Sequence, residues 1–164
     1  MLALALLPVQ FLVVLRRRWP RAHRISGRLY VLGCVVGGIG GIALSTTAYG
    51  GSVAGVGFAT LAAVWLTTTL VALLAVLRRD LARHRRWMIL SGSLTFAAVT
   101  LRLYLGVAFG LRESGLLDAS FAQAYAVIAW ASWVPNLAQA WWFTRPRPAS
   151  RVLARAVSGE AVAA

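Results

Sequence analysis

The stretch RRWPRAHR at residues 17–24 recurs as RRDLARHR at residues 78–85, so the pattern Arg-Arg-x-x-x-x-His-Arg occurs twice. Each copy lies between two long apolar runs, and together the copies hold both histidines of the protein, His23 and His84. A basic segment between two apolar runs is typical of a loop that joins membrane helices. The repeat therefore predicts a membrane protein with two equivalent sets of ionisable side chains on one side of the bilayer.

The composition favours the same class. Of the 164 residues, 60% are hydrophobic and the mean hydropathy is +0.74, whereas soluble domains are about 45–50% apolar. The formal net charge is +13, and all 17 basic residues are arginines, set against 4 acidic residues. These arginines cluster at the ends of apolar runs and form no continuous stripe, which argues against a nucleic-acid partner. The single cysteine, Cys34, excludes an intramolecular disulfide.

The apolar runs predict five membrane helices, because a helix of about 20 apolar residues spans the hydrocarbon core. The first run is the shortest. The predicted spans are Met1–Leu15, Leu29–Tyr49, Val53–Leu77, Trp87–Gly110 and Ala119–Phe143. The fold class is therefore an all-α polytopic helix bundle, with two hairpins in a possible parallel repeat and a fifth helix. Residues 1–143 form the predicted transmembrane domain, and residues 144–164 a polar, disordered cytoplasmic tail.

The charges of the connections predict the orientation. Arginines crowd residues 16–28, residues 78–86 and the tail, whereas the connection at residues 50–52 carries no charge. Because cytoplasmic loops are enriched in arginine and lysine, both repeated motifs and the C-terminus are predicted to lie inside and the N-terminus outside. We therefore expect a multi-pass membrane protein whose general partner is the lipid bilayer.

Polar side chains inside the predicted spans form stripes at helical spacing. These stripes contain His23, Tyr30, Cys34 and Gly41 on the second span, His84, Ser91, Thr95 and Arg102 on the fourth, and Tyr125, Ser132, Asn136 and Gln139 on the fifth. Two hypotheses remain open: the stripes are interhelical faces whose polar groups satisfy one another, or they line a cavity or cofactor site. Pro135 predicts a kink beside Asn136, because proline leaves the carbonyl of Ala131 without its helical donor.

Several of these segments together resemble one protein family. They are Gly27-Arg28-Leu29-Tyr30, His84-Arg85-Arg86-Trp87-Met88, the run Leu94–Arg102 and Trp133-Val134-Pro135-Asn136-Leu137. With them the chain resembles DUF2306, a family of predicted bacterial membrane proteins of unknown function. The resemblance implies a multi-helix inner-membrane protein with no assigned activity. Members of the family carry a further helix before the first span, which implies a truncated start here.

The first functional hypothesis is a redox protein. Haem iron takes axial histidines from facing helices of a bundle. His23 and His84 are the candidate pair, with Asn136 as a polar neighbour and Tyr30 and Trp87 as aromatic ones. On this hypothesis the cofactor is haem b and the protein is a cytochrome-like electron carrier; no other metal site is predicted.

The second hypothesis is an anion site near the cytoplasmic face. Helix N-termini carry partial positive charge, and Arg24, Arg28, Arg85 and Arg86 reinforce it, so an anionic lipid or a small transported anion would bind there. The third hypothesis is a structural or interaction role, in which the arginines only set the topology. A homo-oligomer is compatible with each hypothesis. The sequence contains no hydrolase or transferase motif, and no catalytic residue is predicted.

Overall fold

The computed structural model describes residues 2–12 and 18–145. In this part of the chain all regular elements are helices: α1 Leu2–Phe11, α2 Pro20–Ser45, α3 Gly51–Leu77, α4 Leu81–Glu113, α5 Phe121–Ala131 and α6 Val134–Thr144. The all-α membrane bundle is confirmed. The start of the first motif at Arg17, the end of the first predicted span at Leu15 and the tail beyond Arg145 lie outside the described residues.

Three helices, α2, α3 and α4, are long and apolar enough to cross a membrane. Two of them begin earlier than predicted, because the second half of each histidine motif, residues 20–24 and 81–85, forms the first turn of a helix. α2 begins at Pro20, whose fixed φ suits the first helical position. α4 begins after Asp80, whose side chain accepts a hydrogen bond from the Arg83 backbone N–H at 2.9 Å. Both histidines therefore stand on helix surfaces.

The predicted fifth span is two helices of 11 residues each, α5 and α6, joined at Ser132 and Trp133. Pro135 lies in the first turn of α6, where its missing N–H removes no helical hydrogen bond. The predicted interruption beside Asn136 is thus confirmed, and it is a full break between two helices.

The helices pack around α3, which contacts α2, α4 and α5. α1 is antiparallel to α2: Ala3 lies against Gly33, and Gln10 Nε2 donates to Ser26 Oγ at 2.9 Å. Because α1 and α3 each pack against both α2 and α4, α2 and α4 occupy opposite corners of a four-helix arrangement. A site between them would be enclosed on its two other sides.

Candidate site between α2 and α4

A buried network of hydroxyl groups joins α2, α3 and α4. The Tyr30 hydroxyl on α2 lies 2.9 Å from Ser91 Oγ and 2.8 Å from Thr95 Oγ1, both on α4. Thr69 Oγ1 on α3 lies 2.7 Å from Ser91 Oγ, and Trp65 Nε1 donates to Thr95 Oγ1 at 3.0 Å. Tyr30 and Ser91 are fully buried, and Thr69 and Thr95 nearly so. The polar stripes of the second and fourth spans therefore meet in the core, as the interhelical-face hypothesis requires.

The hydrogen atoms of this network can be assigned from chemistry. The Thr95 and Thr69 hydroxyls donate to the carbonyls of Ser91 and Trp65, which can only accept. Ser91 then donates to Thr69 and Trp65 donates to Thr95. The Tyr30 hydroxyl is left with one hydrogen for two acceptors, Ser91 and Thr95. Every donor is satisfied, and Tyr30 has a choice of two equivalent partners.

This network places the two histidines at one level of the bundle. Tyr30 follows His23 by seven residues on α2, and Ser91 follows His84 by seven residues on α4. Seven residues are about two helical turns, or about 10.5 Å, and return to nearly the same helix face. Because Tyr30 and Ser91 contact each other, His23 and His84 lie at about the same level of α2 and α4, about two turns nearer the arginine-rich end, and the His84 ring contacts α3 at Ala72.

The ring of His84 is oriented by a backbone carbonyl. His84 Nδ1 lies 2.8 Å from the carbonyl oxygen of Ala72 on α3, and the side chain is half-buried. A carbonyl can only accept, so the hydrogen is on Nδ1, and Nε2 of the neutral ring carries the lone pair. Nδ1–H bonded to a carbonyl is the usual second-shell arrangement of a histidine that binds a metal through its other nitrogen.

The surroundings of His23 are formed by α1. Ser26 Oγ donates to the backbone carbonyl of His23 at 3.1 Å and accepts from Gln10 Nε2. His23 is half-buried. The end of α1 is therefore held beside His23 by the bond from Gln10 to Ser26.

The four candidate anion-binding arginines surround this level. Arg24, Arg28 and Arg85 are exposed, whereas Arg86 is half-buried and its Nε has no hydrogen-bond partner among the described residues. Residues 18–28 and 78–86 contain nine arginines and a single acidic residue, Asp80. This excess of positive charge is concentrated at the helix starts that carry the histidines.

The remaining predicted site residues are divided between two places. Trp87 packs against the buried cluster that contains Tyr30 and Cys34. Asn136 lies elsewhere: its Nδ2 donates to Thr100 Oγ1 at 3.0 Å, and Thr100 is 16 residues along α4 from His84, or about 24 Å at 1.5 Å per residue. The structure thus brings Tyr30 and Trp87 near the histidine level and does not bring Asn136 there. Arg102 is exposed and donates to its own helix, at the Ala98 carbonyl.

Two members of the network, Trp65 and Thr69 on α3, were not predicted. α3 is apolar on all its faces, so no polar stripe marks a preferred side. The available signal is the run Thr67-Thr68-Thr69, which follows Trp65 by two residues. Within the described part of the chain, no group of three or more His, Cys, Asp or Glu side chains could hold a metal ion.

Fold and site together define a polytopic membrane helix bundle with a buried network of hydroxyl groups in its core. The chain belongs to the DUF2306 family: the model of this family, described as a predicted membrane protein, matches residues 1–144. The resemblance seen in the sequence is therefore confirmed. No curated protein and no solved structure matches the chain.

Proposed function

We propose that this membrane protein is an electron carrier that holds one b-type haem between His23 and His84. Haem in membrane bundles is bound by histidines that face each other across the bundle, and the iron supplies one-electron redox chemistry. The proposal is supported by the common level of the two histidines on helices at opposite corners of the bundle.

The observation that carries the proposal is the 2.8 Å contact between His84 Nδ1 and the Ala72 carbonyl. It fixes the tautomer and the ring direction, so that Nε2 is available as a ligand before any cofactor binds. A histidine that served only as a polar side chain at the membrane surface would not need this buried acceptor on a neighbouring helix.

The hydroxyl network limits how deep such a cofactor lies. The direct bonds of Tyr30 to Ser91 and Thr95 close the space between α2 and α4, so a haem would have to lie on the arginine side of Tyr30. The arginines of this end, such as Arg24 and Arg85, would then be available for charge-assisted hydrogen bonds to its carboxylates.

Haem stoichiometry tests the proposal. Full-length protein produced with excess haem precursor, purified in detergent, should contain about one haem per chain by the pyridine haemochrome assay. His23→Gly and His84→Gly should each lose the low-spin spectrum, and added imidazole should restore it by occupying the vacated position. The chain has only these two histidines, so no third one can substitute. Failure to bind stoichiometric haem, or unchanged spectra in both variants, would overturn the proposal.

A second candidate function is the binding of a phosphate-bearing anion, and the excess of arginine over acidic residues at this end favours it. The N-termini of α2 and α4, at this same end of the bundle, add partial positive charge. Two probes distinguish a free phosphate from a lipid headgroup as the bound anion. The first is inorganic phosphate added in detergent, and the second compares vesicles of phosphatidylglycerol with vesicles of phosphatidylcholine. Arg85→Gln should weaken binding, and Arg112→Gln, at the opposite end of α4, is the matched control. Equal binding by the two variants would exclude this candidate.

We also propose that the arginine-rich end faces the cytoplasm of a bacterial cell, because arginine is enriched in cytoplasmic connections. On this proposal α2 and α4 both begin at the inner surface, and the site is accessible to cytoplasmic reductants.

A further inference from the structure

A second cleft of about 430 Å³ lies between α4 and α6, on a face away from the histidine pair. Its polar lining consists of Ser93, Asn136 and Gln139, and two aromatic rings, Phe96 and Phe143, border it. Both rings are exposed, at 48% and 75%, so the cleft opens toward the lipid. Its volume is within the range of about 300–1,000 Å³ typical of small-molecule sites.

The hydrogen-bonding capacity of this cleft is only partly used. The Asn136 amide nitrogen donates to Thr100 Oγ1 and to the Ser132 carbonyl, each at 3.0 Å, so both of its hydrogens are engaged and Oδ1 remains an acceptor. Ser93 Oγ donates to the Leu90 carbonyl and keeps its lone pairs. Gln139 forms no hydrogen bond to any described residue. The cleft therefore offers the Gln139 amide, both as donor and as acceptor, and two further acceptors, Asn136 Oδ1 and Ser93 Oγ.

Two of these polar groups, Asn136 and Gln139, lie several residues before the end of α6. The Arg145 guanidinium packs 3.3 Å from the centroid of the Trp142 ring at the end of α6, as expected at a membrane–water interface. Gln139 precedes Arg145 by six residues and Asn136 by nine, or about 9 and 13 Å along the helix axis. At that depth a phospholipid presents only methylene groups, and an amide without a partner in hydrocarbon costs several kcal/mol.

We infer that this cleft binds the ring of a lipid-soluble quinone. Such a ring is flat and apolar, carries polar oxygens at two opposite edges, and reaches this depth because its isoprenoid tail stays in the bilayer. One ring oxygen accepts from Gln139 Nε2, and Phe96 and Phe143 flank the ring faces. In the reduced form the ring hydroxyl donates to Asn136 Oδ1 or Ser93 Oγ. The oxidised and reduced forms therefore both find partners in this cleft.

Photolabelling tests this inference. An azido-substituted short-tail ubiquinone, irradiated with the full chain in lipid nanodiscs, should label peptides containing residues 89–96 and 136–143, and excess unmodified short-tail ubiquinone should prevent it. Gln139→Leu removes the donor at similar volume and should reduce this labelling about 10-fold, the equivalent of 1.4 kcal/mol. The matched control is Thr67→Val, which removes an exposed hydroxyl on α3 that donates only to its own helix.

Three results would overturn the inference: labelling spread over all lipid-facing helices, labelling unchanged by Gln139→Leu, or protection of the cleft by a second copy of the chain in place of quinone. Gln139 is exposed, so its replacement leaves the buried core intact. Labelling does not require haem or the histidines, so the outcome is independent of the haem proposal.

Discussion

The buried hydroxyl network predicts which of two conservative substitutions, Tyr30→Phe or Thr95→Val, lowers the free energy of unfolding more. Tyr30→Phe removes one hydroxyl from a fully buried side chain. The hydrogen assignment shows that no donor loses its acceptor, because Ser91 still donates to Thr69 and Trp65 still donates to Thr95. The loss is then one net hydrogen bond, about 0.5–1 kcal/mol in the free energy of unfolding.

Thr95→Val should cost more, although it also removes a single hydroxyl. Trp65 Nε1–H would lose its only acceptor in the network, and an unsatisfied buried donor costs about 1–3 kcal/mol. Tyr30 would still be satisfied by Ser91. We therefore expect Thr95→Val to destabilise the bundle more than Tyr30→Phe, since the Thr95 hydroxyl takes part in three hydrogen bonds and the Tyr30 hydroxyl in two.

Equilibrium unfolding in mixed detergent and SDS micelles, followed by tryptophan fluorescence, measures both changes. Thr67→Val, at an exposed position of the same helix as Trp65, should change the unfolding free energy by less than about 0.5 kcal/mol. A larger loss for Tyr30→Phe than for Thr95→Val would refute the hydrogen assignment. Losses equal to that of Thr67→Val would refute the network itself.

Three further predictions concern packing, capping and topology. Gly55→Ala would place a Cβ 2.5 Å from the Ser45 backbone carbonyl and should destabilise the α2–α3 contact by about 1–3 kcal/mol. Gly40→Ala meets nothing within 4 Å and should be neutral or stabilising. Unfolding in SDS compares the two variants, and equal effects would contradict the packing of α2 on α3. Asp80→Ala should lower the free energy of unfolding by about 0.5–2 kcal/mol, because the N-cap of α4 is lost. Asp80→Asn should keep most of the stability, because asparagine can also accept the bond from the Arg83 N–H. Equal thermal stability of the two variants would count against the capping role. Alkaline phosphatase and green fluorescent protein fusions should report the cytoplasm at residue 79 and the exterior at residue 115, and the opposite pattern would reverse the orientation.

The class of the helices could be predicted because hydrocarbon thickness requires long apolar runs, but their number could not: five spans were predicted, and the described residues form six helices, three of them long and apolar enough to cross a membrane. The helix starts could not be placed as well, because the arginines of both motifs were taken as loop residues. Arginine has good helix propensity outside the hydrocarbon, and Pro20 and Asp80 provide the start signals. Both start signals are visible in the sequence, so the error was to give the arginines more weight than Pro20 and Asp80 when the helix starts were predicted.

The candidate site was predictable only where a helix has a polar side. Tyr30, Ser91 and Thr95 were found because each lies on a stripe with a histidine, and those stripes meet in the bundle. Trp65 and Thr69 were not, since an all-apolar helix gives no indication of which face is interior. Asn136 was assigned to the wrong neighbours, because the sequence shows its depth in the membrane and not its partner, which is Thr100.

The central claim is that His23 and His84 share one haem, and electron paramagnetic resonance of the ferric protein tests it most directly. Two imidazole ligands from α2 and α4 give a single low-spin signal, and loss of either ligand converts the iron to high spin or releases it. We predict one low-spin species in the wild-type chain and its disappearance in both His23→Gly and His84→Gly. A high-spin wild-type signal, or a low-spin signal that survives either substitution without added imidazole, would contradict the claim.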